Sequence, residues 1–416
     1  LLTTETLKAA FLVKEVNMNS TQEVFELEKK YTLQTYKRLP VVFERGQGVF
    51  LYDLEGNSYI DFVAGIAVNS LGHSHPDWVK AVSEQAAKLV HTSNVVYTQP
   101  AIELAKRLVQ LSGLDRSFLC NSGTEAVEAA IKVARKWGRA KRGEECFRFI
   151  SFERGFHGRT LGALSATASE KYKKPFEPLI PGFITLPIHD HESLERELDG
   201  SVCAVIIESV QGEGGVWPTD PRCLKALRTL CDRKEVLLIC DEIQTGFART
   251  GKWFGYQHSG ILPDIITLAK GMGGGFPIGA MLARGQAATI LEPGDHGSTY
   301  AGNPLACAAA LSVLSVIEKE SLLESIEDKA AFLRKALNEL CQKFPQKLDH
   351  VRGIGLMQAL EFKVPIAKIV VEKGLSHGVF LNATSETTLR FVPPLIITKE
   401  QISLGVLALS ETIDSL

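Results

Sequence analysis

Lys270 sits in the stretch Asp264–Gly279, DIITLAKGMGGGFPIG, just past a short apolar run and just ahead of three glycines, Gly273 to Gly275. The run Asp264 to Leu268 reads as a buried strand. A lysine so close to buried residues either snorkels its ammonium into water or keeps it desolvated. A desolvated amine has a lowered pKa and can form a Schiff base with an aldehyde. The glycines would let backbone and cofactor approach it closely. Lys270 alone does not choose between these outcomes; other stretches do.

The run Val236–Cys240 ends in Asp241 and Glu242, so a strand expected at the centre of a sheet delivers a carboxylate pair to its C-terminal edge. Ligands of open α/β sheets bind at that edge. An anion there needs a cationic partner, such as a protonated pyridine nitrogen, unless it merely caps the next segment. Gln244, three residues on, could donate to a phenolate oxygen. Asn121-Ser122-Gly123-Thr124-Glu125 joins a strand to a helix, where backbone N–H groups and a small hydroxyl suit a phosphate, or an ordinary N-cap. No Walker sequence and no GxGxxG accompanies it. Phe156-His157-Gly158-Arg159 offers an aromatic face for a flat ring and a guanidinium for a carboxylate, or else a loop filler and a solvated arginine. Gly297-Ser298-Thr299-Tyr300 adds two hydroxyls, which alone describe a turn.

The elements that must position these residues alternate. Val41–Asp61 reads as a small antiparallel sheet with turns at Gly46–Gly48 and Glu55–Asn57. Helices are expected at Pro76–Val90 and Pro100–Leu111. Then come strand Ser117–Cys120, helix Thr124–Arg142, strands Phe147–Phe152 and Ala204–Ile207, helix Pro221–Lys234, strand Val236–Cys240 and strand Ile265–Leu268. This order predicts an α/β fold, with a mostly parallel central sheet and helices on both faces. Two long helices follow Pro304. A strand pair over Val351–Phe362, a helix over Ile366–His377, strands at Val379–Leu381 and Leu389–Val392, and a helix over Lys399–Ile413 complete the chain. A smaller α+β domain built from both chain ends is the expected partner. The expected division is 1–75 as a segment contributing to the small domain, 76–318 as the large domain and 319–416 as the C-terminal small domain.

Composition narrows the function classes. The chain has 416 residues, 45% of them hydrophobic, and a net charge of −2. That supports large cores, and no lysine-arginine cluster forms a nucleic-acid footprint. Eight cysteines without a CxxC pair argue against a zinc site or disulfide framework and fit a reducing compartment. Cys203 and Cys240 fall in apolar runs and read as core. No apolar run reaches transmembrane length. Leu1–Asn17 lacks the order of a signal peptide and reads as a leader remnant or a start-site artefact ahead of Met18. A cytoplasmic location is expected, or an organelle matrix if those residues are a leader remnant.

Together these five stretches, in this order from about Tyr36 to the end, resemble the subgroup III aminotransferases, which use pyridoxal 5′-phosphate on the fold-type-I scaffold; acetylornithine aminotransferases are the nearest subgroup. The resemblance implies that Lys270 carries the Schiff base and then moves the proton, and that Asp241 pairs with the pyridinium nitrogen. It places Gln244 on the ring hydroxyl, Phe156 on the ring face, and Gly123 and Thr124 on the phosphate. Thr299 would reach the phosphate of a neighbouring subunit, so a homodimer with shared sites is implied. Arg159 would hold the substrate carboxylate remote from the reacting carbon, and Ser298 would touch the substrate. Arg390 would take the carboxylate next to that carbon in glutamate, with Glu213 as its partner when the other substrate has none. The expected reaction moves the ω-amine of N-acetylornithine to 2-oxoglutarate, a step of arginine biosynthesis. Rivals are 4-aminobutyrate, succinyl-ornithine, succinyl-diaminopimelate or another ω-amine as donor, and a pyridoxal-phosphate aminomutase or racemase. Ile66 stands where ornithine enzymes carry a tyrosine that meets the free α-amino group, which favours an acylated donor. Two departures stand out. Val127 replaces the asparagine usual in acetylornithine enzymes, as 4-aminobutyrate enzymes often do, and Ser209 replaces a usual proline.

Overall fold

Val202–Glu208 and Leu237–Asp241 are buried at every position. Only strands covered on both faces tolerate that, and here helices do the covering. In this computed structural model, which describes residues 20–416, they form the centre of a seven-stranded sheet. Its order is Arg116–Cys120, Gly279–Ala283, Ile265–Leu268, Leu237–Asp241, Val202–Glu208, Arg148–Phe152 and Phe183–Leu186. All neighbours are parallel except at Gly279–Ala283, which runs antiparallel to both of its own. Two of these strands, Phe183–Leu186 and Gly279–Ala283, were not expected. The second, GAMLA, has no β-branched or aromatic residue and so carries a weak strand signal. The residues 1–17 read as a leader remnant or artefact lie outside the described residues.

Side chains alternate across the central strand. Leu238 and Cys240 enter one buried cluster, while Leu237 and Ile239 enter the other. The second cluster is roofed by the helix Gly123–Arg142, whose Ala126, Ala130, Ile131 and Ala134 are buried. Ser122 caps that helix by accepting a hydrogen bond from the Glu125 N–H at 3.3 Å. Cys203 and Cys240 are fully buried, as expected, and all eight cysteines are unpaired. Among the described residues no helix is long and apolar enough to cross a membrane, and no side-chain cluster has metal-ligand composition.

Two smaller sheets flank the large one. Phe43–Gln47, Phe50–Asp53 and Ser58–Asp61 form an antiparallel meander, and Val379–Phe380 from the other end of the chain adds to it in parallel. The other contains Leu348–Ile354, Met357–Phe362, Thr388–Phe391 and Asn382–Ala383. The C-terminal helix Lys399–Asp414 begins with a capping box between Thr398 and Gln401. It presses Gly405 against the ring of buried Phe62, so the two chain ends share a core.

That contact decides the sign of a mutation. In a helix interior, Gly→Ala ordinarily stabilises by about 1 kcal/mol. A Cβ at Gly405 would lie 2.1 Å from Phe62 Cε2, and overpacking of a fixed ring costs about 1–3 kcal/mol. Gly405→Ala is therefore expected to lower the denaturant midpoint of unfolding, and a raised midpoint would show that the helix shifts freely.

Candidate active site

The parallel strands bring their C-terminal ends to one edge. Asp241 lies level with Glu208 on one neighbour and with Thr267 on the other. Lys270 follows three residues beyond Thr267. Beyond the strand ends lies a cavity of about 450 Å³, lined by Gly123, Thr124, Phe156, Arg159, Asp241, Gln244 and Lys270 among others. The structure thus gathers seven of the sequence-predicted residues from four separate stretches of chain.

Asp241 is buried, and its Oδ2 lies 2.8 Å from His157 Nδ1, while Oδ1 accepts the Ile243 N–H at 3.1 Å. Burial alone would push the His157 pKa down. The hydrogen bond and charge of Asp241, with Glu208 adding, override it and hold His157 above its ordinary value. Glu242 turns away from its neighbour, so the expected carboxylate pair is split. It is fully buried and accepts hydrogen bonds from Ser209 Oγ at 2.6 Å, the Gly255 N–H at 2.6 Å, the Tyr256 N–H at 2.8 Å and the Thr245 hydroxyl. Ser209, the departure from proline, thereby has a structural task.

Lys270 adopts φ +45°, in the left-handed region that a side chain avoids. Burial lowers its pKa below the ordinary lysine value; Glu213 opposes that shift and Arg390 reinforces it. Arg390 is 1% exposed, and its Nη1 donates to Glu213 Oε1 at 2.6 Å and to Gln244 Oε1 at 3.2 Å. Asn382 Oδ1 accepts from its Nε and Nη2 at 3.1 and 2.7 Å. Gln244 itself lines the cavity. Burial raises the Glu213 pKa, but Arg390 and Lys270 outweigh it and hold the carboxylate below its ordinary value.

At the helix N-terminus, Gly123 and Thr124 present backbone N–H groups that no intrahelical carbonyl reaches. Gly158 packs so closely beneath that a Cβ there would lie 2.4 Å from Thr124 Oγ1. Thr124 Oγ1 is 2.8 Å from Thr160 Oγ1, which donates in turn to Glu128 at 2.6 Å. Arg159 is exposed, stacks 3.7 Å over the Tyr172 ring, and has no carboxylate partner among the described residues. Ser298, Thr299, Glu213 and Arg390 lie outside the lining of this cavity, although Arg390 bonds to Gln244, which lines it. Ser298 Oγ accepts from Asn121 Nδ2 at 2.9 Å, and Thr299 is exposed.

Three further residues went unremarked in the sequence. His157 was visible only as a neighbour of Phe156. Tyr172, the platform for Arg159, gave no signal. Glu208 could have been found, because it ends the apolar run Val202–Ile207 as Asp241 ends its own. Its Oε1 accepts the Phe156 N–H at 2.9 Å and its Oε2 the Gly212 N–H at 3.1 Å. Burial raises its pKa to about 7, against a lowering by His157. Of the two substrate markers, Val127 is buried between helix and sheet, away from the cavity. Ile66 does not line the cavity either, although Val68 on the same turn does.

Comparison with known proteins adds the following. The family described as aminotransferase class-III matches residues 31–413. An acetylornithine aminotransferase of Methanocaldococcus jannaschii is 49% identical, covering 94% of this chain and 98% of its own. One from Caldanaerobacter subterraneus is 47% identical with the same coverage. Among solved structures, an ornithine aminotransferase from Toxoplasma gondii with partial occupancy of PLP superposes with a TM-score of 0.93 at 34% identity, covering 100% of this chain and 98% of that one. An acetylornithine aminotransferase from Elizabethkingia anophelis gives 0.85 at 37%, covering 95% and 99%. The cavity fits such a group: a buried carboxylate, free N–H groups at a helix N-terminus, an aromatic side chain and a low-pKa amine line one space.

Glu208 yields a pH prediction. Its proton is held more tightly folded than unfolded, so the folded state loses stability as pH rises from about 4.5 through about 7, and the loss is complete above that. Glu208→Gln removes this ionisation. In cofactor-free protein, the stability of wild type relative to the variant should fall between those pH values, read from urea midpoints; a constant difference would count against a raised Glu208 pKa.

Proposed function

The chain belongs to the class-III aminotransferases, and from that premise we propose that it moves the ω-amine of N-acetylornithine to 2-oxoglutarate, in arginine biosynthesis. The observation that carries this reading is the state of two arginines. Arg390 is buried and paired with Glu213, whereas Arg159 stands exposed at the cavity without a carboxylate among the described residues. A donor with no carboxylate beside its reacting carbon leaves the Glu213–Arg390 pair intact and offers its distant carboxylate to Arg159. Glutamate brings a second carboxylate, which takes the place of Glu213 on Arg390. The acylated donor is supported by relatives named acetylornithine aminotransferase at 47–49% identity, against 34% for the ornithine enzyme. No observation favours 4-aminobutyrate, since Val127 belongs to the core.

The cofactor is pyridoxal 5′-phosphate, which when bound supplies an aldehyde that captures amines and a conjugated ring that accepts an electron pair from the substrate carbon. Asp241, held in place by His157, would hold the ring nitrogen. Gly123 and Thr124 would hold the phosphate through their N–H groups, Phe156 would cover a ring face, and the Gln244 amide would donate to the ring oxygen. Lys270 Nζ, whose pKa burial lowers, would be the amine that holds the aldehyde and, once freed by an incoming amine, the base that takes and returns the proton at the substrate carbon.

The working unit we propose is a homodimer. Val95 and Tyr97 are 84% and 95% exposed, and Ile102 and Tyr300 also stand in solvent, an apolar surface suited to a second copy. There Thr299 would reach the phosphate held by the partner, and Ser298 would approach the substrate. The division of the chain at residues 75 and 318 belongs to the same proposal.

N-acetylornithine alone, without an acceptor, should discharge the visible band of the holoenzyme at lower concentration than ornithine or 4-aminobutyrate. A preference for 4-aminobutyrate would reassign the donor. Lys270→Ala should abolish turnover while still binding the cofactor. Arg159→Ala should raise KM for both substrates by roughly tenfold or more, the loss of one charge-assisted pair; an unchanged KM would remove its clamp role.

A further inference from the structure

Glu213 stands on a hairpin whose arms are Val210–Gln211 and Trp217–Pro218. The tip between them lies on the sheet that carries Arg390. In that sheet Arg352 is level with Ala359, Ala359 with Arg390, and Arg390 with Asn382, on successive antiparallel strands. Residues level across such strands project from one face. Two arginines therefore flank one small residue, two strand spacings apart, or roughly 10 Å. Ala359 packs with Val210 and Val216 of the hairpin, so this is the face the hairpin rests on.

Arg390 grips the tip through the Glu213 carboxylate. Arg352 grips it two residues further on, where its Nε donates to the Gly215 carbonyl at 2.8 Å. Its guanidinium lies 4.0 Å over the Trp217 ring, and Nη1 pairs with Glu361 Oε2 at 2.8 Å. Gly215 has φ +112°, and a Cβ there would come within 3.0 Å of Trp217 Nε1 and 3.2 Å of Arg352 Nη2. The fit is close, yet neither Arg352 nor Trp217 lines the cavity.

We infer that Arg352 is a positioning residue, the fixed end of the switch by which Glu213 leaves and recovers Arg390. This rests on the reading above, in which glutamate displaces Glu213. With Gly215 fixed, a tether of two residues spans at most roughly 7 Å, so a released Glu213 stays within reach of Arg390 and returns to it. Without the anchor the tip wanders and Arg390 is left uncovered more of the time. The half-reaction that needs the pair closed, with the ω-amine donor, then suffers. The half-reaction that needs it open, with glutamate, does not.

The test compares the two half-reactions in the holoenzyme by stopped-flow loss of the visible band, with N-acetylornithine and with glutamate, in Arg352→Gln, Arg352→Lys and Glu213→Gln. Lysine keeps the charge beside Glu361 but lacks the planar fork that bonds Gly215 and stacks on Trp217 together, so it serves if the glutamine variant folds poorly. Arg352→Gln or Arg352→Lys should cut kcat/KM for N-acetylornithine about tenfold and change that for glutamate less than twofold. Equal losses in both, or an unchanged ratio, would overturn the anchor. If Glu213→Gln shifts the ratio while the Arg352 variants do not, the switch stands and the anchor alone falls. If Glu213→Gln leaves the ratio unchanged, the switch itself is wrong.

Discussion

A carboxylate buried at the end of a central strand has to be answered by positive charge or hydrogen bonds, and Asp241 imposes that demand on everything around it. His157 answers from one side at 2.8 Å and the Ile243 N–H from another. Glu208 sits level with it on the adjoining strand, so two acids share the sheet edge. Burial, with the like charge of Asp241 adding to it and His157 opposing, pushes Glu208 toward its neutral form. Such an edge favours a cationic ring nitrogen in the cavity above. Glu208 then uses its oxygens on the backbone, fixing Phe156 beside the cavity and Gly212 at the root of the Glu213 hairpin.

The chain accepts backbone strain to complete this site. Ala64, Gly65, Ile66 and Ala67 all have φ between 47° and 66°, a left-handed turn with three side-chain-bearing residues. Each costs about 1–2 kcal/mol. Asp61 meets that cost locally: its Oδ1 accepts the N–H groups of Val63 and Ala64 at 2.8 and 2.7 Å, while Oδ2 engages His73. The turn delivers Val68 to the cavity wall. Lys270 has the same left-handed φ on the facing segment. Strain of this kind persists only where packing over-determines it, and both segments lie beside the cavity.

Most of the site was legible in the sequence because its residues end strands. An apolar run stopped by Asp241, or followed closely by Lys270, is a local pattern that needs no knowledge of the fold. The strands Val202–Glu208 and Leu237–Asp241 announce themselves by continuous apolarity. Gly279–Ala283 did not, since its neighbours rather than its residue types make it a strand. The separate fates of Asp241 and Glu242 were equally hidden: the choice depends on Ser209, Gly255 and Tyr256, which only tertiary structure brings near. Tyr172 beneath Arg159 is a contact between a loop and a short helix, invisible to any periodicity.

The contrast between the two arginines limits which molecules can work the switch. Removing one partner from a buried ion pair costs about 3–5 kcal/mol, because the remaining charge stays buried. Arg390 is buried and bound on three sides, so with the hairpin anchored the proposed departure of Glu213 is favourable only when another carboxylate arrives in its place. An amide, a hydroxyl or a water cannot supply that charge. Under the proposed switch, a donor whose reacting carbon is a bare methylene would find the pair closed, and an α-amino acid would open it. Arg159 obeys no such rule. It is exposed, stacked on Tyr172 and has no carboxylate partner among the described residues, so it can receive a carboxylate without displacing one of them. On the proposed reading, one site would distinguish its two amino donors by what each must displace, rather than by separate pockets for each.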